Sequence, residues 1–266
     1  MNQAAASPND SGKLIAYFIL AYAISWSIGV PLALAHQGII PPILSQWTHY
    51  LIAFGPMLSA LIVTGVSQGQ PGLKELGKRV FKWSCLKWWV VAFSPLLLGM
   101  LVIWILNQLT GSAIHLSDLG AVNYLPPMRG RSALLLWIFT FGLGEEIGWR
   151  GFALPHLQKG HSALAATMIL AVFWALWHAP QFFYLFDLSM VVGWLIGLFA
   201  GAVVLTWLYN SSPDNVLPVA IWHGCFNFMT ASTADVGLLP AILSVIVIVW
   251  AILVIIFTKP KSLMSV

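Results

Sequence analysis

Glu145, Glu146 and Arg150 lie within six residues of one another inside an otherwise apolar stretch, residues 134–154. A charge at the centre of a membrane-spanning helix costs roughly 2.5–3.5 kcal/mol on insertion scales. Three such residues so close together mark a place where charge is used. On a helix Glu146 and Arg150 are four apart with the acid first, the favourable order for a pair on one face. They can neutralise each other. Glu145 points about 100° away, has Trp149 as its own four-apart neighbour, and has no cation within its helix. It is therefore the carboxylate available for general acid or base chemistry.

The histidines supply the next candidates. Of seven, His36, His49, His115, His156 and His161 fall in connections or at the edges of apolar segments. His178 and His223 fall well inside them. Trp174 precedes His178 by one turn, and Pro180 follows, which frees a carbonyl and favours a bend beside the imidazole. His223 and Asn227 are four apart and share a helix face. Cys225 lies on the opposite side of that turn and is discounted as a nucleophile. At 1.5 Å per residue, Glu145 sits roughly 3 Å to the cytoplasmic side of its span's middle and His178 roughly 7 Å to the outer side, with His223 near the middle. Taken singly, each has a structural reading: a packing histidine, an asparagine that joins helices, a neutral ion pair. Two Glu, one Arg, two His and one Asn on three spans at comparable depth point instead to one pocket near the midplane.

The elements that must position them are transmembrane helices. The chain of 266 residues is 59% hydrophobic and only 8% charged, with a mean hydropathy of +0.87. Soluble domains carry about 25% charged residues, so the expectation is an all-α polytopic membrane protein. About 20 apolar residues cross a bilayer, and eight spans are read: 14–35, 47–66, 88–109, 133–154, 163–183, 190–209, 216–231 and 238–257. Residues 1–13 and 258–266 read as polar tails around a single transmembrane domain, 14–257. The first span is read as retained, although Ala33-Leu34-Ala35 resembles a cleavage site, because its apolar run is too long for a signal core.

Charge sets the expected orientation. With the N-terminus in the cytoplasm, Lys13, Lys74, Lys78, Arg79, Lys82, Lys87, Lys159, Lys259 and Lys261 fall inside, and Arg129 and Arg131 outside, which places both termini in the cytoplasm. The net charge of +4 then belongs to loops facing anionic lipid headgroups and implies no nucleic acid. Residues 74–89 interleave cations with aromatics and read either as an interfacial segment or as a topology signal. Gly144 and Gly148, and Gly193, Gly197 and Gly201, recur at the spacing that lets helices approach closely in lipid. No internal repeat is visible, and Cys85 and Cys225 make no metal-type spacing.

In order, Glu145-Glu146-xxx-Arg150, Trp174-xxx-His178 and His223-xxx-Asn227 resemble the motifs of the CPBP family of intramembrane proteases. That family includes the type II CAAX prenyl endopeptidases and the bacterial Abi proteins. The resemblance covers about 134–229, and Trp174 stands where the second motif often has Phe. It implies hydrolysis of a peptide bond, near the cytoplasmic side of a bacterial plasma membrane. Glu145 and His178 would activate water, His223 and Asn227 would hold the oxyanion, and Glu146, Arg150 and Trp174 would support the site. The implied partners are a peptide or protein substrate, lipidated or membrane-associated, and membrane lipids. A zinc ion on Glu145, His178 and His223 is the open alternative to metal-free water activation, which is the reading preferred here because no His-Glu-x-x-His motif is present. Two other classes compete: a proton-coupled transporter or channel using Glu145, His178 and His223 as a relay, and an immunity protein that binds a peptide without cutting it.

Overall fold

The structure, a computed structural model, describes residues 8–264 except 112, 123, 187 and 232–237. It is helical throughout, with no strand among the described residues, because in hydrocarbon a helix satisfies its own backbone. Five helices are long and apolar enough to cross a membrane, and six if the bent pair at Gln46–Ile52 and Phe54–Phe81 counts as one span. These are α1 (Pro8–His36), the bent α2 (His49–Ile52) and α3 (Phe54–Phe81), α4 (Leu86–Thr110), α8 (Ala163–Trp177) with the turn after it, α9 (Val191–Ser211) and α11 (Leu239–Phe257).

The two remaining expected spans differ from simple crossings. The fourth is a chain of α and π turns: α5 (Gly130–Trp137), a π segment Ile138–Glu145, α6 (Glu146–Gly148), a second π segment Trp149–Ala153, and α7 (Leu154–Gln158). The seventh, α10 (Val216–Thr230), has 15 residues, short of a full crossing. It is buried along most of its length, so neighbouring protein rather than lipid satisfies it. α1 begins at Pro8, ahead of the first expected span; residues 1–7 lie outside the described residues. At the other end, Leu263 is fully buried. The carbonyls of Lys261 and Pro260 accept the backbone N–H groups of Ala163 and Leu164, at 3.0 Å each.

The charged helix is held from two sides. α10 packs along the first π segment, and α3 packs against α6. Close approach on the α3 side requires glycine. A Cβ on Gly148 would lie 2.5 Å from Pro56, and one on Gly144 would lie 2.7 Å from the Ala53 carbonyl oxygen. The glycines of α9 do not serve the same purpose. A Cβ on Gly193, Gly197 or Gly201 would meet nothing within 4 Å, which corrects the packing face expected there. α1 clasps the assembly: Ser25 donates to the Ile52 carbonyl at 2.8 Å and Trp26 Nε1 to the Trp177 carbonyl at 2.9 Å. It thereby ties the bend before α3 to the end of α8.

The outer surface suits lipid, with Val66, Trp104, Phe139 and Phe257 exposed. This is an integral, multi-pass membrane protein. In the 74–89 segment Trp83 is exposed and packs on Trp89 at 5.1 Å, and Lys87 lies 4.7 Å over the Trp88 ring. Trp88 itself is buried, so Lys87 covers an aromatic of the core while Trp83 faces outward.

Candidate active site

Wide π turns flank Glu145 and Glu146. A π turn inserts an extra residue into the ladder and is frequent where side chains must be re-aimed. Glu145 is the last residue of the first π segment and Arg150 lies in the second. Glu145, Glu146 and Arg150 are all buried. Arg150 Nη1 donates to both Glu146 oxygens, at 2.8 Å to Oε1 and 3.0 Å to Oε2. This four-apart pair forms within the helix and cancels its own charge. Arg150 Nε and Nη2 have no acceptor among the described residues, but the guanidinium carbon lies 4.7 Å over the Trp174 ring, a cation–π contact.

Glu145 is differently placed. It makes no salt bridge among the described residues, yet it is not without partners. Trp149 Nε1 donates to Oε2 at 3.2 Å and Trp174 Nε1 donates to the same oxygen at 2.6 Å. Trp149 is the neighbour the four-residue spacing offered, and Trp174 reaches Glu145 from another helix. Two neutral indole donors hold one oxygen, and Oε1 takes no hydrogen bond from the described residues. The sequence signal for this was Trp149, four residues on; an indole in an apolar helix otherwise reads as packing.

Trp174 connects the remaining groups. Its backbone carbonyl accepts from His178 Nδ1 at 2.7 Å. A carbonyl only accepts, so the proton is on Nδ1 and the lone pair of the neutral ring is on Nε2. α8 ends at Trp177, and His178 opens a 3₁₀ turn, Ala179–Phe183, as Pro180 requires. Trp177 at 4.7 Å and Trp194 at 4.9 Å enclose the imidazole. The Trp174 ring also stands perpendicular to His223 at 5.3 Å.

His223 Nδ1 lies 2.8 Å from Glu146 Oε1, the oxygen that Arg150 also holds. The contact is close, but its direction is not that of a hydrogen bond. Glu145, Glu146, Arg150, Trp174 and His223 therefore form one contact set, and His178 joins it through the Trp174 carbonyl. Asn227 sits one turn beyond His223 on α10, half-buried, and its amide makes no hydrogen bond to the described residues. Glu145, His178 and His223 do not come together as a metal-holding group; no three His, Cys, Asp or Glu do so among the described residues. Cys225 is buried and packs with Ala92 and Ile221, away from this chemistry. His49, expected at a span edge, is buried, because the bend at Ala53 folds α2 inward.

Residues 128–229 match the family described as "Type II CAAX prenyl endopeptidase Rce1-like". That range holds every residue of the contact set. A curated relative, "CAAX prenyl protease 2" of Methanococcus maripaludis, is 30% identical over 103 residues, which is 35% of this chain and 37% of the relative. The match thus spans little more than a third of either protein, and falls short of the whole length of that relative.

Proposed function

We propose, from the match of residues 128–229 to the Rce1-like type II CAAX prenyl endopeptidases and the likeness to the Methanococcus maripaludis relative, that this chain is an intramembrane endopeptidase of the CAAX-type or Abi-like kind. The observation that carries the reading is Glu145: a buried carboxylate with no paired cation, held on one oxygen by two indole N–H groups, beside a second carboxylate that is already neutralised. A structural charge needs a counter-charge. Glu145 is instead held in place and left with an oxygen to use.

Peptide hydrolysis needs a base for water and donors for the charge that develops on the carbonyl oxygen. Glu145 Oε1 and the His178 Nε2 lone pair are the two acceptors that can take a proton from the attacking water. That proton then passes to the leaving amine. On the other side, the His223 ring, whose Nδ1 lies 2.8 Å from Glu146 Oε1, is the group placed to offer an N–H to the oxyanion. The Asn227 amide adds a second donor from the same helix face. Trp174 fixes the relation between the halves, since it bonds Glu145 with its indole and His178 with its carbonyl. The steps here use only side chains of this protein, and the chelator arm of the test below separates them from a metal-assisted route. A peptide or protein substrate follows from this chemistry. The name of the curated relative makes a prenylated CAAX tail the first one to try.

The test is cleavage in detergent micelles, where no ion gradient exists. Purified protein is given a peptide with a prenylated CAAX terminus and its unprenylated counterpart, with and without a chelator. Cleavage that survives the chelator and needs Glu145 supports the reading. A folded protein that cuts neither peptide but moves protons in liposomes supports the relay instead.

A further inference from the structure

His49 opens α2 and is 1% exposed. Its Nδ1 lies 2.8 Å from the Tyr184 hydroxyl, and its ring packs on Phe141 at 5.6 Å. Nε2 is buried and has no partner among the described residues. Gln181, three residues after His178, is 3% exposed and has the same defect at Nε2. Tyr184 joins the two: its hydroxyl meets His49, and its backbone N–H donates to the Gln181 carbonyl at 3.2 Å. Buried nitrogens of native proteins are satisfied by water or by a ligand when protein supplies nothing.

Their position suggests which ligand. Phe141 stands four residues before Glu145 in the same π segment, and the Gln181 backbone N–H donates to the His178 carbonyl at 2.9 Å. The two orphan nitrogens therefore border the Glu145–His178 apparatus on the side of α2 and the 178–184 turn. A peptide segment must leave its helix to expose the bond that is cut. In an apolar interior each freed backbone N–H and C=O then needs a polar partner. Lipid tails carry no such groups. An extended backbone carries them in alternation, matching an amide donor at Gln181 and a ring nitrogen at His49.

We propose that His49 and Gln181, joined through Tyr184, form a docking edge that hydrogen-bonds the unwound substrate backbone beside the bond presented to Glu145. This rests on the protease reading above. It assigns His49 and Gln181 to substrate binding, with the chemistry left to Glu145, His178, His223 and Asn227.

Steady-state kinetics on a peptide that the wild type cleaves will test it, using His49→Leu, His49→Gln and Gln181→Leu with melting temperatures measured alongside. Each apolar variant is expected to raise KM about tenfold and leave kcat within about twofold, since a bond made equally in ground and transition states acts on binding alone. His49→Gln restores a polar group and should recover part of the loss. Normal KM in well-folded variants would overturn the proposal, as would a fall in kcat at constant KM. If His49→Leu does not fold, Gln181→Leu decides. A wild type that cuts no peptide removes the protease reading and this inference together; a wild type that cuts, with unchanged KM in the variants, removes this inference alone.

Discussion

Trp174 Nε1 donates to Glu145 Oε2 at 2.6 Å, while the carbonyl of the same residue holds His178 Nδ1 at 2.7 Å. One tryptophan thus sets the relative placement of the two groups assigned to water activation. Trp174→Phe keeps an aromatic ring and removes the N–H. A hydrogen bond to an ionised group contributes about 1.5–3 kcal/mol to stability, so the melting temperature should fall, and kcat should fall with it because Glu145 loses one of its two positioning donors. Rates and thermal scans on the same preparation check this; an unchanged kcat would show that Trp149 alone suffices.

Arg150 and Glu145 should separate cleanly in their effects. Arg150 neutralises Glu146 within the buried helix. Arg150→Ala leaves that carboxylate uncompensated, at a cost of about 3–5 kcal/mol, and folded yield in detergent should drop sharply. Glu145→Gln keeps the shape and faces no cation, and it should melt near the wild type. Reversed outcomes would exchange the structural and chemical roles of the two glutamates.

Asn227→Ala should lower turnover by roughly 10²–10³, the effect of removing one oxyanion donor. KM should hardly move, because a donor aimed at the transition state acts on turnover. Initial-rate kinetics distinguish this from a helix-joining role, which would lower the melting temperature instead.

Two glycines of similar appearance should respond in opposite ways. A Cβ on Gly148 would lie 2.5 Å from Pro56, whereas one on Gly197 meets nothing within 4 Å. Gly148→Ala should destabilise by about 1–3 kcal/mol through overpacking, and Gly197→Ala should raise the melting temperature slightly, because alanine loses less backbone entropy in a helix.

The orientation proposed from the lysine distribution can be read with the native thiols. Cys85 is exposed and Cys225 buried, so an impermeant maleimide reports on Cys85. Labelling is expected from the cytoplasmic face; labelling from the outer face alone would invert the topology.

How much of this was legible in the sequence follows from the range of each interaction. The Glu146–Arg150 pair could be read directly, because four-residue spacing puts both on one face. So could the all-helical membrane architecture, since composition alone demands it. The indole bonds of Glu145 could not. Trp174 reaches it from another helix, and tryptophan in an apolar run carries no sign of which way its N–H points. His49 reads as a span-edge residue, and it does open α2; its burial depends on a bend at Ala53, which Pro56, three residues on, could have announced. Gly193, Gly197 and Gly201 have the spacing of a packing face, but spacing does not say whether a neighbour is there.

The central claim is that Glu145, held by Trp149 and Trp174, activates water for peptide hydrolysis. The most direct measurement is kcat of purified Glu145→Gln against wild type on one cleaved peptide, with folding verified by thermal scan. The account predicts a variant that melts like wild type and has no measurable turnover. A folded Glu145→Gln protein that still cleaves at a rate near wild type would contradict it.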